Sequence, residues 1–183
     1  MLSNKTIQLR ALEPGDIDLL YGWENNTLFW SVSNTLTPYS RHVLEQYLQN
    51  AHLDLHTTKQ VRLMIELNAG LKTIGCIDLF DFEPLHRRAG VGILIAEDGE
   101  QRNGYASSAL ELLIQYAFGT LNLNQLYCSV AEGNEGSLKL FAKFGFKKTG
   151  VKKEWLCRGD AWQDEVFLQL FRRDAQTVQQ LLS

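Results

Sequence analysis

The segment from Ala89 to Ala117 limits most tightly what this chain can fold into. Ala89-Gly90-Val91-Gly92-Ile93-Leu94-Ile95-Ala96 is an apolar run of strand length, and the glycine turn Gln101-Arg102-Asn103-Gly104-Tyr105-Ala106 follows it. From there Ala106, Ala109, Leu110, Leu113, Ile114 and Ala117 recur on one helical face. Strand, turn and helix in that order place backbone amides at a helix start. Those amides lack partners inside the helix, and the dipole there favours an anion, so the turn suits a phosphate group. Gly104 permits close backbone approach and Ala106 is too small to obstruct it. A Walker loop would require Gly-Lys-Ser/Thr, and a dinucleotide fingerprint a third glycine beyond Gly90 and Gly92; the chain has neither.

The flanking pattern predicts a mixed α/β chain. Residues 6–11 read as a strand, and Ile17, Leu20, Tyr21 and Glu24 open a helix after Glu13-Pro14-Gly15-Asp16. Residues 27–39 show no period and are expected to form a loop. Ser40 caps a second helix carrying Leu44, Leu48, Ala51 and Leu55. Val61, Leu63, Ile65 and Leu67 alternate as a half-buried strand, Asn68-Ala69-Gly70 turns the chain, and 72–82 form the partner. Leu126 to Val130 is a buried strand, and the next helix, with Leu138, Phe141 and Ala142, stops at Gly145. Two last strands, near 146–156 and 161–172, join at Arg158-Gly159-Asp160. The order is β-α-α-β-β-β-α-β-α-β-β, with antiparallel hairpins first and a βαβ unit at 89–130.

The 183 residues suit one domain, and 45% hydrophobic with 21% charged residues is ordinary for a globular protein. A net charge of −3 argues against nucleic acid as a partner. No run approaches a membrane span, and the opening Met1-Leu2-Ser3-Asn4-Lys5 has no apolar signal region. Cys76, Cys128 and Cys157 lie far apart without CxxC spacing, as buried thiols of a reducing compartment, so a cytoplasmic protein is expected. His52 and His56 share a helical face but lack a third ligand, so no metal is expected.

Gln101-x-x-Gly104-x-Ala106 resembles the pyrophosphate motif of the GNAT superfamily of N-acetyltransferases. Asn134-x-x-Ser137-x-x-x-Phe141-x-x-x-Gly145-Phe146 is similar to that family's later motif, at the matching distance. His86-Arg87-Arg88-Ala89 and Leu9-Arg10-Ala11-Leu12-Glu13 resemble its spermidine/diamine and ribosomal-protein branch. The resemblance covers residues 7 to about 172. It implies a mixed, mostly antiparallel central sheet with a splayed parallel pair and helices on both faces. It also implies one acetyltransferase domain over residues 1–173, with 174–183 a tail forming a short helix. By the same resemblance, acetyl-CoA is the co-substrate. Its pantetheine arm would pair with the edge Ile93, Leu94 and Ile95, beside a bulge. Its pyrophosphate would sit on the amides of Gln101, Arg102, Asn103, Gly104, Tyr105 and Ala106, aided by the Ser107 hydroxyl. Asn134 would lie near the thioester, a position that equally suits a helix N-cap. An oxyanion donor is expected from a strand amide near Ile95.

Amine acetylation requires that the amine lose a proton and that the carbonyl oxygen find donors. The family attacks directly, without an acyl-enzyme. Many members carry a proton-donating tyrosine where this chain has Phe141, so water, Tyr127, Ser137 or no group serves the thiolate. Candidate bases are Asp78, Asp81, Glu83 and His86, with His86 expected on a surface loop. A regular strand puts Asp78 on the face of Ile74, Cys76, Phe80 and Phe82, and Asp81 on the face of Ile77 and Leu79, so one of the two reaches a given cleft. The plainer alternative is that both are solvated charges blunting a sheet edge. Trp23 is expected in the core, while Phe29, Trp30 and Tyr39 flank the loop that walls the family's acceptor site. Spermidine acetyltransferases usually carry adjacent acidic residues before the proline of that loop; here Thr35-Leu36-Thr37-Pro38 stands there. A polyamine, a diamine, another small amine or a protein N-terminus remain open as acceptors, as does a homo-oligomer. A second reading, prompted by Phe141, is a non-catalytic acetyl-CoA-binding sensor or partner module.

Overall fold

The computed structural model describes residues 2–33, 35–51 and 53–175. Its centre is an eight-stranded sheet. The strands are β1 (Leu2–Ser3), β2 (Ile7–Arg10), β3 (Val61–Leu67), β4 (Thr73–Glu83), β5 (Arg88–Ile95), β6 (Gln125–Ala131), β7 (Lys147–Arg158) and β8 (Ala161–Phe171). They lie in the order β1-β2-β3-β4-β5-β6-β8-β7. Every pairing is antiparallel except β5 with β6, the two ends of the βαβ unit.

Helices cover both faces. On one, α5 (Tyr105–Gln115) buries Ala109, Leu110, Leu113 and Ile114 against Ile7, Ile65, Ile74 and Ile77. Each fully buried aliphatic side chain there contributes roughly 2 kcal/mol of transfer free energy. On the other, α1 (Ile17–Glu24) packs Trp23 with Met64 and Cys76, and Phe29 from α2 (Thr27–Ser33) joins that cluster. Trp23 is therefore a core residue. Next come α3 (Arg41–Gln49), capped by the Ser40 hydroxyl on Val43 N at 3.2 Å, and α4 (Leu55–Thr58). Last is α6 (Glu135–Lys143), ended by Gly145 at φ 83°.

Three expectations change. Residues 27–33 are helical rather than loop: the Asn26 side chain accepts from Leu28 N at 3.0 Å, and Trp30 Nε1 donates to Glu24 O at 2.8 Å. This helix has no buried residue, so it left no periodic apolar signature. The second helix stops at Gln49, and Leu55 belongs to a separate turn, because the Asp54 carboxylate caps His56 and Thr57. Third, β4 is not a regular strand. Ile74 is an extra residue opposite the Ile65/Glu66 step, and Asp81 and Phe82 together oppose Ala89, with Asp81 at φ 48°. The predicted tail helix falls mostly on 176–183, and His52 also lies outside the described residues.

Candidate active site

The parallel pair opens. β5 and β6 are in register only at Arg88–Gln125, Ala89–Leu126 and Gly90–Tyr127. Beyond that, β5 follows β4 as far as Ile95–Gly75 and β6 follows β8 as far as Ala131–Glu165. Ala96 N donates to Ile74 O at 2.9 Å. Antiparallel alternation then turns the N–H and C=O of even-numbered β5 residues towards β4 and those of Val91, Ile93 and Ile95 towards the gap. Ile93 thus presents an open strand edge, and Ile95 turns its N–H the same way while its carbonyl accepts from Gln101. Leu94 pairs with Cys76 and presents no edge.

The gap leads to the start of α5. Gly104 is the N-cap at φ 84° and offers no side chain to the first-turn amides of Tyr105, Ala106 and Ser107. The preceding turn is held by its own polar groups. Gln101 Nε2 donates to Ile95 O at 3.4 Å, Asn103 Nδ2 donates to Gly99 O at 3.1 Å, and Arg102 has φ 66°. Lys143 Nζ, from the last turn of α6, lies 3.4 Å from Ser107 Oγ. It adds a cation that the spacing of the motif alone did not reveal. Strand edge and uncapped helix start together fit a long carrier that ends in phosphate.

A cavity of about 970 Å³ fills the mouth of the gap. β5 contributes Val91 to Ile93, β6 contributes Tyr127 to Ala131, and α6 contributes Asn134, Ser137 and Phe141. Asn134 caps α6, its Oδ1 accepting from Ser137 N at 3.1 Å. Phe141 is buried, its ring 5.0 Å from that of Phe146. Gly90 makes room at the vertex: a Cβ there would lie 2.3 Å from the Phe80 ring. The residues 101–107 lie outside this lining.

Asp78 and Asp81 both line the cavity, which corrects the expectation that they face opposite ways. The bulge is the reason: left-handed backbone at Asp81 resets the alternation, so Phe82 joins Ile77 and Leu79 in the core. Their surroundings differ. Asp78 accepts from Arg62 Nε at 2.8 Å and from Arg62 Nη2 at 3.1 Å, and Arg62 also holds Glu24. Opposite charges draw the Arg62 guanidinium further towards its charged form, against its burial. Asp81 forms no ion pair among the described residues and accepts from the Tyr127 hydroxyl at 3.1 Å. Burial first, and Asp81 second, push the Tyr127 phenol up to about 12, so it stays protonated at neutral pH. Glu83 accepts from Leu85 N at 3.2 Å, and His86 is exposed on the following turn. Among the described residues no group of three His, Cys, Asp or Glu side chains is placed to hold a metal.

A sheet parted beside a helix start whose first-turn amides have no side-chain cap is the architecture of an acyl-carrier-dependent transferase. The chain belongs to the GNAT acetyltransferases: the Acetyltransferase (GNAT) domain family matches residues 6–147. It is an acetyl-CoA-dependent N-acetyltransferase. Spermidine N(1)-acetyltransferase of Vibrio cholerae serotype O1 is 29% identical over 164 residues, 88% of this chain and 90% of the relative. The Escherichia coli K12 spermidine N(1)-acetyltransferase is 29% identical over 153 residues, 82% of this chain and 77% of the relative. The crystal structure of the Vibrio cholerae enzyme with CoA and spermine superposes with a TM-score of 0.85 at 26% identity. It covers 94% of this chain and 99% of that one. A dodecameric form of that enzyme gives a TM-score of 0.77 at 30% identity, covering 92% and 95%.

Proposed function

We propose that this enzyme acetylates a primary amine of a diamine or polyamine in the cavity between β5 and β6, with Asp81 as the base. The Asp81–Tyr127 contact at the vertex of the splay carries the reading. Asp81 is the cavity carboxylate without a cationic partner among the described residues, whereas Asp78 is engaged by Arg62. An entering ammonium would meet Asp81 and give it a proton, while the Tyr127 hydroxyl orients the carboxylate. Acetyl-CoA supplies the acyl group as an activated thioester. The edge amides of Ile93 and Ile95 hold the carrier and meet the carbonyl oxygen, and the first turn of α5 with Lys143 holds the pyrophosphate. Phe141 gives no proton; on the same wall Ser137 offers a hydroxyl. The diamine class is supported by the spermidine-acetylating relatives and the spermine-bound neighbour. Residues 1–173 would act as one catalytic domain. Assembly into a homo-oligomer is in keeping with the dodecameric relative. We place the enzyme in the cytoplasm on its three free cysteines, which suit a reducing compartment. No helix among the described residues is long and apolar enough to cross a membrane.

The test is CoA release from acetyl-CoA in the presence of spermidine, diaminobutane, butylamine and a free peptide N-terminus. Release with the diamines is expected. Release with the peptide alone would remove the polyamine assignment, and no release above hydrolysis with any amine would remove amine transfer.

A further inference from the structure

The cavity wall built by β7 and β8 carries charges that acetyl transfer leaves unused. Glu165 on β8 is 7% exposed and stands between Ala131 and Lys152 in the sheet register. Its Oε2 accepts from Lys152 Nζ at 2.7 Å. The same ammonium stands 4.8 Å from the centre of the Trp155 ring. All three side chains line the cavity. A bulge in β7 brings Trp155 there: the register slips between Lys152 and Leu156, and Glu154 takes φ 48°. Asp164 pins this bulge by accepting from Lys153 Nζ at 2.5 Å and from Glu154 N at 2.9 Å.

A carboxylate that accepts hydrogen bonds, beside an aromatic face, is the combination that recognises an alkylammonium. The two partners of the present pair are not equally committed. A buried carboxylate requires a cation, but the Lys152 side chain is 40% exposed and can swing into water.

We propose that Glu165 and Trp155 form an ammonium subsite for the far end of a diamine or polyamine acceptor, which Lys152 fills until the acceptor displaces it. This rests on the amine-transfer reading above and adds a second anchor with an internal competitor. The exchange replaces one ammonium by another against Glu165, so charge is conserved and no covalent bond changes. It favours acceptors with a second ammonium over monoamines of equal length, in a chain whose Thr35-Leu36-Thr37 loop lacks acidic side chains.

The test is calorimetric titration of diaminobutane and butylamine into the CoA-loaded enzyme, as wild type, Lys152→Ala, Lys152→Ala/Glu165→Gln and Trp155→Ala. Thermal unfolding checks that each variant is folded. Lys152→Ala is expected to raise the affinity for diaminobutane about tenfold relative to butylamine, a difference of about 1.4 kcal/mol. Adding Glu165→Gln should abolish that gain. Trp155→Ala, an exposed position that tolerates change, should weaken the diamine several-fold. A diamine-to-monoamine ratio equal in all four proteins, or no amine binding in any of them, overturns the subsite. CoA release is read separately. A wild type that turns over amines but shows an unchanged ratio loses the subsite and keeps amine transfer.

Discussion

Asp81→Asn and Asp78→Asn should separate activity from stability, although both carboxylates face one cavity. Asp78 shares the Arg62 guanidinium with Glu24, and the Arg62 and Asp78 side chains are 21% and 25% exposed. An amide at 78 removes one of two counter-charges from a largely enclosed cation. Breaking a fully buried pair costs about 3–5 kcal/mol, and partial exposure with Glu24 still in place lowers this to about 2 kcal/mol. For a chain of this length that is a fall in Tm of about 4–8 °C. Asp81 is exposed, and asparagine accepts left-handed backbone as aspartate does, so Asp81→Asn should change stability by no more than about 0.5 kcal/mol. It does remove the proton acceptor. A positioned base is worth about 10²–10⁴ in rate, so kcat should drop at least about a hundredfold at neutral pH. CoA release at saturating acetyl-CoA, measured across pH beside calorimetric unfolding, reads both effects. Wild-type kcat and pH profile in Asp81→Asn would refute the assignment of the base. An equal loss of kcat in Asp78→Asn with an unchanged Tm would refute the division of roles.

Gly104→Asp should leave the chain folded and disable the co-substrate site. Left-handed backbone costs a non-glycine residue about 1–2 kcal/mol, offset by about 1 kcal/mol from capping α5. A carboxylate about 4 Å from a phosphate repels it by about 4 kcal/mol at an effective dielectric near 20, close to a thousandfold in acetyl-CoA affinity. Unchanged affinity by calorimetry in the folded variant would contradict the site. Arg10 joins Asp16 at 2.8 Å and Glu66 at 2.7 Å behind the sheet. Burial pushes both carboxyls up, but the hydrogen bonds led by Arg10 outweigh it and hold them below the usual range. Because their folded pKa values lie below the unfolded ones, their stabilisation is complete above about pH 5. It is lost as pH falls through the folded values, below about pH 4. Arg10→Met should lose about 3 kcal/mol at neutral pH and recover part of it on acidification, when the unpaired carboxyls take protons. Urea unfolding from pH 7 to pH 3 checks this, and parallel stability curves for the two proteins would contradict it.

The helix starts and the central strand were legible because their signals are local. Ser40 caps where its position predicts, and Gly145 takes the left-handed backbone that ends α6. The geometry of the turn at Gly104 could be read for the same reason: Gly104 takes left-handed backbone and starts α5 where the order strand, glycine, helix predicts. What failed was alternation along β4. Period two assumes a regular pleat, and two bulges break it: the one at Asp81 brings Asp78 and Asp81 out on one side, and the one at Ile74 moves that side chain to the face of Ile77 and Leu79. Aspartate tolerates left-handed backbone better than most residues but does not signal it as glycine would, so Asp81 inside an apolar alternating run did not mark the bulge. The helix Thr27–Ser33 was missed because none of its residues is fully buried and only Phe29 packs on the core, which leaves no apolar period. Contacts between distant segments were beyond any local pattern. Arg62 with Asp78, Tyr127 with Asp81, and Lys143 beside Ser107 arise from strand pairing and helix docking. They decide which carboxylate is free.

The central claim is that the opened strands hold acetyl-CoA with its acyl end against Asp81. A crystal structure of the enzyme with CoA and a diamine tests it most directly. The pantetheine should lie along the edge at Ile93 and Ile95, with the pyrophosphate on the amides of Tyr105 to Ser107. An amine nitrogen should stand within hydrogen-bond reach of Asp81. CoA seated away from the gap between β5 and β6, or an amine held by Asp78 with Asp81 facing solvent, would contradict the claim.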